Sequence, residues 1–273
     1  MGTLVCFHAH PDDEALSTGG SMARAHAEGH RVVLVVATNG EHGEVPDDLA
    51  AGETLVDRRR RETMESAAAL GIDRVVWLGF HDSGMTGWEQ NADPASFLQS
   101  DLDDAAARLA EIVRDESADV LTIYDWHGNY GHPDHIRVHR VGVRAAELVA
   151  GELPNLRVFE ATLNRDAIVA MIAQAAEAGT VAFGDEEEPF DPNGPADDGN
   201  PFGMSEAELT HEVDVSDYVG AKRSAIASHR SQVTDTAFFL SMPEETFATA
   251  FSREWFIERG REPGMRPGWL FDA

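Results

Sequence analysis

His8-Ala9-His10-Pro11-Asp12-Asp13-Glu14-Ala15-Leu16-Ser17-Thr18-Gly19-Gly20 follows a short β-branched and apolar run, Thr3 to Phe7, and precedes a segment with helical spacing. The stretch should therefore lie on the turn leaving a first strand. In open α/β sheets ligands bind at that carboxyl edge. A histidine and three acids packed into His10 to Glu14 are costly in a core but natural in a metal site.

Working outward, Ser21 to Gly29 carries small and apolar residues at helical spacing and ends at a glycine suited to a C-cap. Arg31 to Ala37 is a continuous apolar run, as expected of a parallel strand buried on both faces. Strand, helix, strand makes a right-handed βαβ unit. The alternation continues with helix Asp57 to Leu70, strand Arg74 to Leu78, a loop through Trp88, helix Leu102 to Asp115 and strand Asp119 to Tyr124. A loop from Asp125 to Asp134, a helix from His135 to Ala150 and a strand near Arg157 to Glu160 follow.

This order predicts an α/β fold: a doubly wound, mostly parallel, Rossmann-like sheet with helices on both faces. Residues 1–182 form its core. The acidic, proline- and glycine-rich stretch 183–203 reads as a long loop or flap, with a solvated loop preferred over a lid. Residues 204–273 form a smaller C-terminal elaboration packed on the same domain, with a strand near Leu209 to Val213 and helices about Val219 to Ser228 and near Glu244.

Composition limits the function classes. The formal net charge of -28 argues against nucleic acid and anionic membranes, which are bound through lysine and arginine clusters. Lys222 is the sole lysine beside twenty arginines. The single cysteine, Cys6, lies in the first strand, where a buried, inert thiol is expected. The N-terminal apolar run is too short for a signal peptide or a span, so the expected compartment is the cytoplasm. The sequence leaves self-association open.

His10 and Asp13 supply two metal donors, with Pro11 restricting the backbone between them. A catalytic zinc site needs a third and keeps a position for water. The best source is His127-Gly128-Asn129-Tyr130-Gly131-His132-Pro133-Asp134-His135, which leaves another strand end at the same rim. His8 is better read as support than as a ligand. His139 lacks the glutamate of an H-E-x-x-H pair and reads as structural. Of Arg58 to Arg61, three suit a solvated helix face with local ion pairs, and one is suited to the cleft.

The paired turns, His10-Pro-Asp-Asp-Glu14 and His132-Pro-Asp-His135, resemble the signature of the PIG-L or LmbE-like family of zinc-dependent N-deacetylases, which act on N-acetylglucosamine-type glycoconjugates. The resemblance extends to about Arg165 and is greatest to the deacetylase branch of the mycothiol pathway. It implies one Zn2+ per chain, or another divalent metal, on His10, Asp13 and His135. It further implies Asp12 as general base, His132 as electrophile or general acid, oriented by Asp134, and Tyr130 as oxyanion donor. Arg59, Asp82 and Ser17 fall at substrate-contact positions. Ser17 stands where a thiol-conjugate amidase branch shows lysine, which favours deacetylation over conjugate cleavage. The family loop reads Gly-Gly-Tyr where this chain has Gly128-Asn129-Tyr130, and His229-Arg-Ser-Gln232 is like a recurring family segment. An H-x-H barrel hydrolase fits the open-sheet pattern poorly, and no G-x-G-x-x-G follows the first strand. A non-catalytic metal- or sugar-binding module is the non-enzymatic alternative.

Overall fold

A computed structural model describes residues 1–177 and 190–272. The elements run β1 (Thr3–His8), α1 (Asp13–Ser17), α2 (Gly19–Ala27), β2 (Arg31–Thr38), α3 (Leu55–Leu70), β3 (Arg74–Phe80), α4 (Leu102–Asp115), β4 (Val120–Tyr124), α5 (Gly128–Gly131), α6 (Pro133–Val149), β5 (Arg157–Thr162) and α7 (Arg165–Glu177). Then come β6 (His211–Asp214), α8 (Val219–Ser228), α9 (Val233–Ser241), α10 (Glu244–Ala250), β7 (Arg253–Glu258) and β8 (Arg266–Pro267).

One eight-stranded sheet has the order β3-β2-β1-β4-β5-β7-β6-β8. Strands β3 to β5 in that order are parallel, and β7 adds antiparallel to both β5 and β6. The α/β reading of the sequence holds, and the C-terminal strands β6 to β8 carry the sheet onward past β5. Alternation along β1 sends Val5 and Phe7 into one apolar layer, with Leu109 of α4 and Val138 of α6. Leu4 and Cys6 enter the other, with Met22 of α2 and Ile226 of α8.

Strand order reverses between β1 and β4, which pair directly, and the crevice at such a switch point is where this topology exposes strand ends to a ligand. Local chemistry fixes what enters it. Thr54 and Asp57 form a capping box at the start of α3, which sets the phase that sends Arg59 inward. His132 caps α6, its Nδ1 accepting from the Asp134 amide at 3.1 Å, with Pro133 at the first helical position.

Of the predicted acidic loop, residues 183–189 lie outside the described residues. The described remainder packs on the α5 turn. Asp197 N donates to Tyr130 O at 3.0 Å, and Gly203 N donates to Asn129 O at 2.6 Å. The Asp198 carboxylate lies 3.5 Å from His127 Nδ1.

Candidate metal centre

The turns after β1 and β4 bring His10, Asp13, His132, Asp134 and His135 into one buried cluster, joined by Asp82 from the turn after β3. Asp13 bridges two imidazoles: Oδ2 is 3.3 Å from His10 Nδ1, and Oδ1 is 3.4 Å from His135 Nε2. The His10 amide donates to Asp13 Oδ2 at 2.7 Å and so fixes the carboxylate. One donor atom from each of His10, His132 and His135 lies within 4.8 Å of the others, and the same holds for His10, Asp82 and Asp134. His10 belongs to both sets.

His135 is seated by its surroundings. Its ring stacks on Tyr124 at 4.5 Å, and Nδ1 meets Gly128 O at 3.3 Å, an arrangement that leaves Nε2 facing the cluster. A Cβ at position 128 would lie 2.3 Å from His135 Cβ, and Gly128 has φ +67°, so only glycine lets the histidine sit there. Nε2 of His135 is buried without a hydrogen-bond partner.

Electrostatics favour a cation. Burial alone would lower the His10 pKa, yet Asp82, Asp13 and Asp134 outweigh it and hold the ring well above its ordinary value. Burial would likewise raise Asp13, but His135 and His10 keep it well below the usual carboxylate range. His132 is driven down to about 2, by burial and then by His10 and His135, so its ring is neutral. Two imidazole nitrogens, one of them without a hydrogen-bond partner, and a carboxylate oxygen suit a divalent cation.

Asp12 faces the rim. Its backbone sits at φ 118°, rarely adopted by a side-chain-bearing residue, and its amide donates to Glu14 Oε2 at 2.9 Å. Burial and then Asp13 push its carboxyl up to about 6, against the lowering by Arg59. Arg59 Nη2 donates to Asp12 Oδ2 at 2.8 Å and to Pro11 O, while Nη1 donates to Gly40 O at 2.8 Å. Both terminal nitrogens are thus engaged by this turn and by the segment after β2, while Nε, also buried, has no hydrogen-bond partner. Arg60 and Arg61 face outward, donating to Asn39 and pairing with Glu53, while Arg58, half-buried, pairs with Glu53 and Asp48.

The other sequence candidates are placed as follows. Asp82 lies 3.6 Å from His10 Nε2 and accepts from the Gly84 amide. Asp134 meets His132 through its backbone; its carboxylate takes the Ser83 amide at 2.9 Å and the Ser83 hydroxyl, and lies 3.3 Å from His10 Nε2. Tyr130 is half-buried, its ring 5.0 Å from His135 and 6.2 Å from His132. Ser17 ends α1, half-buried, and makes none of these contacts.

Sequence reasoning took Ser83 only as part of the Asp82 segment and missed Asp125. The latter is fully buried and accepts from the amides of His127 and Asn129 and from Thr162 Oγ1, which holds the α5 turn. Its place directly after β4 was the available signal. His8 is support, as expected: Nδ1 meets Tyr124 Oη and Nε2 meets Thr18 Oγ1, both at 2.8 Å. His139 meets Tyr124 O at 3.0 Å.

Residues 5–146 match the family model described as PIG-L, GlcNAc-PI de-N-acetylase. A 1D-myo-inositol 2-acetamido-2-deoxy-alpha-D-glucopyranoside deacetylase of Acidothermus cellulolyticus is 38% identical over 266 residues, covering 93% of this chain and 88% of that protein. N,N'-diacetylchitobiose deacetylase from Pyrococcus horikoshii has a similar structure, with TM-score 0.58 and 22% identity, covering 94% of this chain and 83% of that one. So does a zinc-inhibited form of a teicoplanin deacetylase, with TM-score 0.57 and 16% identity, covering 95% and 100%. At those identities the two structures support the fold.

Proposed function

Since the chain belongs to the PIG-L family of de-N-acetylases, we propose that it hydrolyses the acetamide of a GlcNAc-inositol-type glycoconjugate to acetate and the free amine, with one zinc ion as cofactor. The observation that carries the reading is His135 Nε2, buried without a hydrogen-bond partner beside Asp13 and the two other histidines. His10, Asp13 and His135 would hold the metal. When bound, such an ion supplies Lewis acidity and lowers the pKa of water to about 7.

The remaining work falls to the chain's own groups. Asp12 lies beside the ligand Asp13, and its carboxylate takes the proton of the attacking water. Arg59 holds that carboxylate in place. His132 accepts the Asp134 amide at Nδ1, so its neutral ring carries the proton on Nε2 and donates it as a hydrogen bond to the developing oxyanion. Tyr130, against the same imidazoles, is the second donor, a role worth roughly 10²–10³ in rate. As the C–N bond breaks, the proton held by Asp12 passes to the leaving nitrogen. Asp82 and Asp134, whose carboxylates lie 3.6 and 3.3 Å from His10 Nε2, orient the His10 ring and add negative charge beside the site.

The test is amine release from a GlcNAc-inositol acetamide, with metal analysis of the same samples. Asp12→Ala should keep its metal and lose about 10²- to 10⁴-fold in kcat. An undiminished rate in that variant, or a wild-type protein inert with zinc present, overturns the assignment.

A further inference from the structure

His229-Arg230-Ser231-Gln232 follows α8, remote in sequence from both ligand turns, yet every polar side chain in it except that of Arg230 is buried against the back of the site. His229 Nε2 lies 2.7 Å from Glu14 Oε1, with both side chains fully buried. Ser66 Oγ donates to the same oxygen at 2.5 Å. The other oxygen of Glu14 accepts the Asp12 amide at 2.9 Å. Ser231 donates to Glu62 through its amide at 3.0 Å and its hydroxyl at 2.6 Å, which ties the segment to α3 one turn from Arg59. Gln232 exchanges hydrogen bonds with the backbone of Glu44, donating to its carbonyl and accepting from its amide, both at 3.0 Å. A Cβ on Gly43 would lie 2.3 Å from Arg59 Nη1 and 2.4 Å from Gln232 Oε1, so both side chains press on that glycine.

The chain of contacts therefore ends on one residue. Asp12 is gripped at its amide by Glu14 and at its carboxylate by Arg59, and its carbonyl accepts from Ala15 N at 3.0 Å. A side-chain-bearing residue at φ 118° is strained and persists only when its surroundings over-determine it. Glu14 supplies the constraint at the amide, and its own orientation is set by His229 and Ser66. Were His229 removed, Glu14 would be free to turn, its hold on the Asp12 amide would loosen, and the turn would relax.

We propose that His229 is a positioning residue for the catalytic carboxylate: gripping Glu14 from the C-terminal side, it keeps the strained Asp12 turn aimed at the substrate. The inference rests on Asp12 being the base, as proposed above, so one measurement is chosen that does not depend on turnover. The variants are His229→Ala, His229→Gln and, as a control, Phe247→Ala, a buried residue of the same apolar layer that makes none of these polar contacts.

The first measurement is amide hydrogen exchange of the peptide spanning residues 9–16 in the protein without substrate. The second is kcat and KM for amine release, with metal content. His229→Ala should speed exchange in that peptide about tenfold or more and lower kcat about 10- to 100-fold at near-constant KM and metal content. His229→Gln, whose amide can still donate to Glu14, should recover most of both. Phe247→Ala should melt earlier yet keep its kcat well below its melting temperature. Unchanged exchange and kcat in His229→Ala, or an equal kcat loss in Phe247→Ala, overturns the proposal. If His229→Ala does not fold, Ser66→Ala decides: it removes the other donor to the same oxygen and should shift both readouts in the same direction, by less, and no shift counts against the clamp. If the wild type releases no amine, the functional reading falls, while the exchange comparison still decides the clamp.

Discussion

The turns that carry the proposed ligands and the C-terminal layer behind them handle charge in opposite ways. The turns after β1, β3 and β4 crowd acids and imidazoles together within short stretches and leave one nitrogen of His135 unpartnered. The layer around α8 and β7 pairs charge across great sequence distances. Glu254 of β7 takes the amides of Gly20 and Ser21 and the ammonium of Lys222, each within 2.8 Å. Glu14 takes His229, and Glu62 takes Ser231. The difference teaches that reactivity here is encoded locally, whereas the rigidity that makes it useful is encoded by residues far apart.

That contrast is open to experiment. His135→Ala should remove most of the bound metal and lower kcat on the order of 10³-fold or more, with the fold retained; metal analysis beside circular dichroism checks it, and full metal retention would break the contrast at its reactive end. Lys222→Met should do the reverse. It leaves Glu254 buried without its cation, costing about 3–5 kcal/mol in urea unfolding, with kcat per folded molecule within about twofold of wild type. A loss of turnover beyond the folded fraction would show that the supporting layer also takes part in the chemistry.

A smaller effect sharpens the boundary between layers. Burial pushes Cys6 up from 9.0 to about 12, so the folded protein keeps a proton that the unfolded chain gives up. The stability this confers is complete below about pH 9 and is lost as pH rises toward 12, by at most about 1.4 kcal/mol per pH unit. Urea unfolding at pH 8 and pH 10 should show that loss in wild type and a shallower one in Cys6→Ala. Equal slopes would mean that water reaches the layer under β1.

Much of this was legible in the sequence because the signals are local. The apolar runs of β1, β2 and β4 mark strands buried on both faces, and two His-Pro-Asp turns mark their ends. The run Arg58 to Arg61 reads correctly because the phase of a helix permits only some of four consecutive side chains to face inward. Asn129, where the family loop has glycine, has φ +67°, a conformation that asparagine tolerates better than most residues. What stayed hidden is non-local. The strand β7, Arg-Glu-Trp-Phe-Ile-Glu, has charged ends and only a short apolar centre, and nothing in it announces pairing with β5 and β6 on either side. Glu14 reads as a first-turn acid of a helix until His229 is seen against it. Arg59 reads as a substrate contact, and nothing in the sequence shows that its two terminal nitrogens bond Pro11, Gly40 and Asp12. Asp134 reads as the residue that orients His132, and the group that does so is its backbone amide.

The one lysine of the chain lies on the buried face of α8, sealed at 2% exposure with its ammonium on Glu254. An acylating reagent therefore finds no side-chain amine on the native surface, and modification at Lys222 becomes a clock for the opening of that layer. Counted by mass spectrometry, it would time local breathing in the unaltered protein without any introduced dye or label.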